Sequence, residues 1–69
     1  MGIDALITAA IIAFLENNRT ATEDELVKCA SAYVGRRVTK TAVRRAIERN
    51  RHRLEVEIDA GVFRISLKF

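Results

Sequence analysis

The chain has 69 residues and 49% hydrophobic side chains, a size that allows one folded domain over residues 1–69 and excludes two separate cores. One cysteine and one histidine exclude an internal disulfide and a four-ligand zinc site, and the longest apolar run is far below the ~20 residues of a membrane span. The net charge is +3, yet eight of the twelve cationic side chains lie between Arg36 and Arg53, with one acid, Glu48.

The first predicted element is a helix, because apolar residues from Ile3 to Phe14 recur at spacings of three and four. Asp4 lies in its first turn, where the helix dipole favours a carboxylate. Asn17-Asn18 is predicted to end the helix, since Asn tolerates the left-handed conformation of a C-terminal cap.

A second apolar stripe runs along the opposite side of this helix. It consists of Ala5, Ala9, Ile12 and Ala13. Two interpretations are open: helix two and the hairpin cover the stripe, or it is the seam of a homodimer, where small side chains allow close helix approach. A two-fold dimer would place two reading helices on adjacent turns of the DNA major groove.

A second helix is predicted from about Glu23 to Val34, because Thr22 and Glu25 have the spacing of a capping box and Gly35 can end the helix. Its predicted buried stripe comprises Leu26, Cys29, Ala30 and Tyr33. The link before it, residues 19–21, has room for a brief edge strand.

A third helix begins at Thr39, and Val38 with Val43 has the spacing of a hydrophobic staple. A rotation of ~100° per residue separates two faces of this helix. The buried face comprises Val43, Ala46, Ile47 and Asn50. The exposed face comprises Thr41, Arg44, Arg45 and Glu48, with Lys40 and Arg49 on its flanks.

After Arg53 the apolar period changes to two, which predicts a β-hairpin with one apolar and one polar face. The apolar face comprises Leu54, Val56, Ile58, Phe63, Ile65, Leu67 and Phe69. Asp59-Ala60-Gly61 provides a tight turn. On the polar face, Glu55 and Glu57 are expected to pair across the strands with Arg64 and Lys68.

Three helices of this length followed by a hairpin resemble the winged helix-turn-helix superfamily over essentially the whole chain. The resemblance implies a mainly α, α+β fold: a three-helix bundle followed by a C-terminal β-hairpin wing. Short segments also resemble the globular domain of linker histones. These segments are residues 7–11, Ala32-Tyr33, Ala46-Ile47 and residues 63–68.

The resemblance implies binding to double-stranded DNA, with the third helix in the major groove, as in a transcriptional regulator or a chromatin-associated module. Lys40, Thr41, Arg44 and Arg45 are then placed to meet base edges. The full set of expected DNA contacts is Arg36, Arg37, Lys40, Thr41, Arg44, Arg45, Arg49, Arg53 and Arg64. Glu48 is interpreted as holding Arg44 and Arg45 extended; alternatively it accepts a hydrogen bond from cytosine N4.

A different interpretation remains open, in which the same basic face docks an acidic partner protein. RNA is less favoured, because the predicted hairpin has no exposed aromatic side chain on which bases could stack. No catalytic set, bound metal or cofactor is expected, and Cys29 is interpreted as a small core residue. The unpaired cysteine and the lack of a secretory signal predict an intracellular location, nucleus or cytoplasm.

Overall fold

Three helices and a three-stranded antiparallel sheet make up the fold, as described by a computed structural model for residues 2–68. The helices are α1 (Ile3–Asn17), α2 (Glu23–Val34) and α3 (Lys40–Arg49). The strands are β1 (Ala21–Thr22), β2 (Leu54–Asp59) and β3 (Val62–Leu67), in the sheet order β1-β3-β2. The predicted mainly α, α+β winged-helix architecture is confirmed. Phe69, assigned above to the apolar face of the hairpin, lies outside the described residues.

The ends of α2 and the start of α3 follow from local side-chain chemistry. The Thr22 hydroxyl accepts from the Glu25 amide at 3.3 Å, and the Glu25 carboxylate accepts from the Thr22 amide at 2.9 Å. Gly35 ends α2 in the left-handed conformation, with φ of +86°. The Thr39 hydroxyl accepts from the Ala42 amide at 3.1 Å and caps α3. The predicted capping box, glycine cap and Thr39 cap are confirmed.

The end of α1 differs from the prediction. The cap residue Asn18 is extended, with φ of −135°, so it does not use the left-handed conformation. Instead the Asn17 and Asn18 side-chain amides donate to the carbonyls of Ala13 and Phe14, at 3.1 and 2.9 Å. The Phe14 carbonyl also accepts from the Asn18 backbone amide at 2.9 Å, so the Asn18 side chain adds a second donor to a carbonyl that is already bonded.

One apolar core joins the helices to the sheet. Ile7 and Ile11 of α1 pack with Leu26 of α2, Val43 of α3 and Ile65 of β3, all almost completely buried. Ala21 of β1 and Leu54 of β2 belong to the same core, so all six elements share it, and this core fixes the orientation of α3 against the rest of the fold.

Most of the second apolar stripe of α1 is not covered, although Ile12 packs against the core. Ala5, Ala9 and Ala13 are exposed, and Ile12 is half-buried. The interpretation that α2 and the hairpin cover both sides of α1 is therefore wrong. The reason is geometric: α2, α3 and β3 all meet the side of α1 that carries Ile7 and Ile11. The homodimer seam stays a prediction.

Tyr33 was predicted to lie in the buried stripe of α2, but it is 57% exposed. It has the same helical phase as Leu26, which is fully buried. Tyr33 lies in the last turn of α2, however, and no element within residues 2–68 covers its side chain there. Helical phase therefore predicts the buried direction but not how far along the helix the covering elements extend.

The hairpin places Val56 opposite Ile65, and Glu57 opposite Arg64, one of the cations with which Glu57 is expected to pair. Its two-residue turn places Ala60 and Gly61 at φ of +52° and +78°, the positive angles that a tight hairpin turn requires. The apolar face is covered only near its base. The outer part of that face was predicted to be buried, but Ile58 is 70% exposed and Phe63 is 40% exposed, because the wing extends past the helices.

Candidate nucleic-acid interface

Packing of one face of α3 into the core leaves its opposite face exposed to solvent. Val43, Ala46 and Ile47 are buried, whereas Thr41, Arg44, Arg45 and Glu48 are exposed, as predicted from helical phase. A side-chain amide also ties the end of α3 to α1. Asn50 Nδ2 donates to Thr8 Oγ1 at 3.2 Å and to the carbonyl of Ala46 at 2.8 Å.

Arg44 is engaged by an acid from another helix. Its Nε and Nη2 atoms donate to the two carboxylate oxygens of Glu23, at 2.6 and 3.1 Å. The Glu23 side chain is only 14% exposed. The hydrogen bond from Arg44 lowers the pKa of the Glu23 carboxyl below its ordinary value. Glu23 is therefore ionised at neutral pH, and the ion pair is lost only as the pH falls through that lowered pKa.

Two more cations of α3 are paired in the same way. Lys40 lies 3.3 Å from Asp24, and Arg49 lies 2.9 Å from Asp4. Asp24 belongs to the first turn of α2 and Asp4 to the first turn of α1, where the helix dipole favours a carboxylate. Acids from two other helices therefore partly neutralise both flanks of α3.

Glu48 does not act on Arg44 or Arg45. It pairs with Arg51, at 3.3 Å between Arg51 Nη1 and Glu48 Oε1. The interpretation that Glu48 holds Arg44 extended is wrong. Arg44 donates instead, through Nε and Nη2, to the carboxylate of Glu23 on the neighbouring helix.

The polar face of the wing also differs in part from the prediction. Arg64 lies opposite Glu57, as expected, but its ion pair is with Asp59, at 3.6 Å. Glu55 lies opposite Ser66 and not opposite a cation. Arg64, expected to contact DNA, is therefore surrounded by acids of the wing, which reduce its attraction for phosphate.

Four of the predicted cationic contact residues remain exposed without an ion pair within 4 Å in the described part of the chain. We call them the free arginines: Arg36, Arg37, Arg45 and Arg53. Arg36 and Arg37 precede α3, Arg45 lies on its exposed face, and Arg53 follows it. No local sequence signal separates these residues from Lys40, Arg44 and Arg49, because the acids that pair with those three belong to other helices.

An open groove of about 380 Å³ lies between α3 and the sheet. Val56, Phe63 and Ile65 form its apolar floor, and Arg44 with Arg51 lies along its wall. Within residues 2–68, no three His, Cys, Asp or Glu side chains are grouped so that they could hold a metal ion. Desolvation raises the pKa of the half-buried Cys29 thiol, which favours its protonated form.

No protein-family model matches the chain, and no curated protein is significantly similar to it. In structure the chain is similar to BpsR of Bordetella bronchiseptica, with a TM-score of 0.68 and 20% sequence identity. The similarity covers 99% of this chain and 44% of BpsR, so the chain spans less than half of that protein. The DNA binding of BpsR is regulated by 6-hydroxynicotinic acid. At this level of identity the likeness shows a shared fold alone. No helix in residues 2–68 is long and apolar enough to cross a membrane.

Proposed function

We propose that this chain binds double-stranded DNA with α3 in the major groove, as part of a transcriptional regulator. The observation that carries the proposal is the position of the free arginines on α3 and at both of its ends. Cationic side chains gathered along one helix attract phosphate. The fold shared with BpsR, a protein that binds DNA, supports the same function.

The proposal divides the contacts between bases and backbone. Thr41, in the first turn of α3, and Arg45, in the middle of the helix, are both exposed and are proposed to meet base edges. Arg36, Arg37 and Arg53 lie at the two ends, where contacts to phosphate fix the register of the helix in the groove. This set is narrower than the nine residues expected from sequence.

The cations of α3 that have an acidic partner are proposed to contribute less to DNA binding than the free arginines. Lys40, Arg44 and Arg49 each have an acidic neighbour, which a phosphate would have to displace or approach. Phosphate contacts by these residues are therefore weaker than those by the free arginines. Arg64 is excluded from the proposed set for the same reason.

A salt titration with duplex DNA tests this function. Each neutralised phosphate contributes about −0.9 to the slope of log affinity against log salt concentration, so the three phosphate contacts of Arg36, Arg37 and Arg53 predict a slope of about −3. Fluorescence anisotropy with a labelled duplex measures it, and single-stranded DNA and a structured RNA serve as comparisons. The RNA comparison matters because Phe63 is exposed, contrary to the sequence prediction.

The rival function, docking of an acidic protein, predicts the opposite order of affinities. A polyglutamate peptide would then bind the chain more tightly than the duplex does at the same salt concentration. That result would contradict the proposed function.

A homodimer through α1 is the second proposed partnership, since Ala5, Ala9 and Ala13 are exposed. We expect the chain to sediment as a dimer at high micromolar concentration and Ala9→Glu to sediment as a monomer, because the substitution places a charge in an apolar seam. Ala32→Glu, at an exposed position of α2, is the matched control. A wild-type chain that stays monomeric at high micromolar concentration would rule out the seam.

A further inference from the structure

β2 is an edge strand of the sheet. In the order β1-β3-β2 it pairs with β3 on one side, and no strand of residues 2–68 pairs with its other side. An edge strand of six residues presents unpaired N–H and C=O groups, which can pair with another extended segment.

The register shows which backbone groups of β2 are open. The Lys68 amide donates to the Arg53 carbonyl at 2.8 Å, so these two residues form a hydrogen-bonded pair. Hydrogen-bonded and non-hydrogen-bonded pairs alternate along an antiparallel ladder. In this register, the N–H and C=O groups of Val56 and Ile58 point away from β3, toward the open edge.

One face of this edge is apolar and exposed. Ile58 is 70% exposed, it lies opposite the partly exposed Phe63, and Val56 beside it is half-buried. These side chains continue the floor of the groove beside α3. A strand added at the open edge would cover them with its own apolar side chains.

The other face of the edge determines what kind of strand fits. Glu55 and Glu57 are both exposed, and neither forms an ion pair within the described residues. Side chains two residues apart on a strand lie roughly 7 Å from each other on the same face. An added strand with cations at alternate positions would place one opposite each carboxylate. A second copy of β2 would instead bring like charges together, which is destabilising.

We propose that the open edge of β2 binds an extended segment of a partner protein in which Lys or Arg alternates with apolar residues. β3 already pairs with β2 in this way, with Arg64 opposite Glu57 and between the apolar residues Phe63 and Ile65. The proposed site lies on the wing, so it does not depend on the DNA-binding function.

An NMR titration of the isotopically labelled chain tests the proposal. The probe is an acetylated, amidated peptide, Ser-Lys-Val-Lys-Val-Lys-Ser, and the control is the same peptide with Glu in place of Lys. We expect the Lys peptide to bind saturably, shifting the amide signals of Val56 and Ile58 and slowing their exchange with solvent. Binding of the Glu peptide equal to that of the Lys peptide would overturn the proposal.

Two variants act on the two parts of the site. Glu55→Lys with Glu57→Lys reverses the charges and is expected to weaken binding of the Lys peptide about tenfold or more. Ile58→Pro removes an outward N–H at an edge position, where proline is tolerated, and is expected to weaken binding comparably while duplex affinity stays unchanged. If both folded variants bind the Lys peptide like the wild type, or if its signals map to α3, the proposal is wrong. A Val56 amide that exchanges slowly with solvent in the absence of peptide, and more slowly at higher protein concentration, would show that a second copy of the chain occupies the edge. That result would also overturn the proposal.

Discussion

Reversing the charge of Arg45 is expected to weaken duplex DNA binding by about 10- to 100-fold, the loss of one good base contact. Arg45 lies at the centre of the exposed face of α3, and no acid in the described residues pairs with it. Arg45→Glu removes that contact and adds repulsion from phosphate. Anisotropy titrations at fixed salt concentration measure the change, and circular dichroism checks that the helix content is retained.

Two matched variants separate a local effect from the general loss of charge. Arg19→Glu changes the net charge equally but lies in the link before β1, so a small loss is expected. Arg49→Glu lies on α3 beside Asp4, and an intermediate loss is expected because Asp4 already partly neutralises this cation. Equal losses in all three variants would show that Arg45 has no special position in the interface.

The opposite change is expected when the partner of Arg44 is neutralised. Glu23→Gln leaves Arg44 without its carboxylate partner and removes an acid close to α3, so the duplex affinity should rise several-fold. Glu16→Gln, at an exposed position near the end of α1, is the control for charge alone. A Glu23→Gln variant with lower duplex affinity would show that Glu23 orients Arg44 for binding.

Truncating Leu26 to Ala is expected to lower the free energy of unfolding by about 2–5 kcal/mol, the range for a fully buried leucine. Leu26 is fully buried and belongs to the core shared by the helices and the sheet. A domain of this length has a total stability of roughly 3–10 kcal/mol, so the substitution removes a large part of it. Urea denaturation followed by circular dichroism measures the loss.

Leu6→Ala is the matched control for the core, since it makes the same chemical change at a half-buried position of α1. A loss of about 1 kcal/mol is expected there, because less apolar surface is removed from the interior. Equal losses of stability in the two variants would contradict the difference in burial between Leu26 and Leu6.

The boundaries of the elements could be predicted from sequence because they depend on neighbours a few residues apart. Thr22 with Glu25, Thr39 with Ala42 and Gly35 are local devices, and the structure confirms each of them. The two faces of α3 were also predictable, since a regular rotation per residue assigns every side chain to a direction. The alternation of apolar and polar residues likewise predicted the two faces of the hairpin.

The extent of coverage could not be predicted in this way. Tyr33, Ile58 and Phe63 have the phase of buried residues, but each lies where an element extends past its neighbours. Ala5 and Ala9 are apolar and still exposed. Burial at the end of an element depends on the lengths and crossing angles of other elements, which a local pattern does not contain.

The sequence by itself determined the fold, the outward face of α3 and the concentration of cations around it. Only the tertiary structure decided which of those cations are free. Arg44 meets Glu23 and Arg49 meets Asp4, pairs separated by 21 and 45 positions along the chain. Such pairs form because the packing of the helices places the first turns of α1 and α2 beside α3. Periodicity describes one helix at a time, whereas the charge of the proposed interface depends on three helices together.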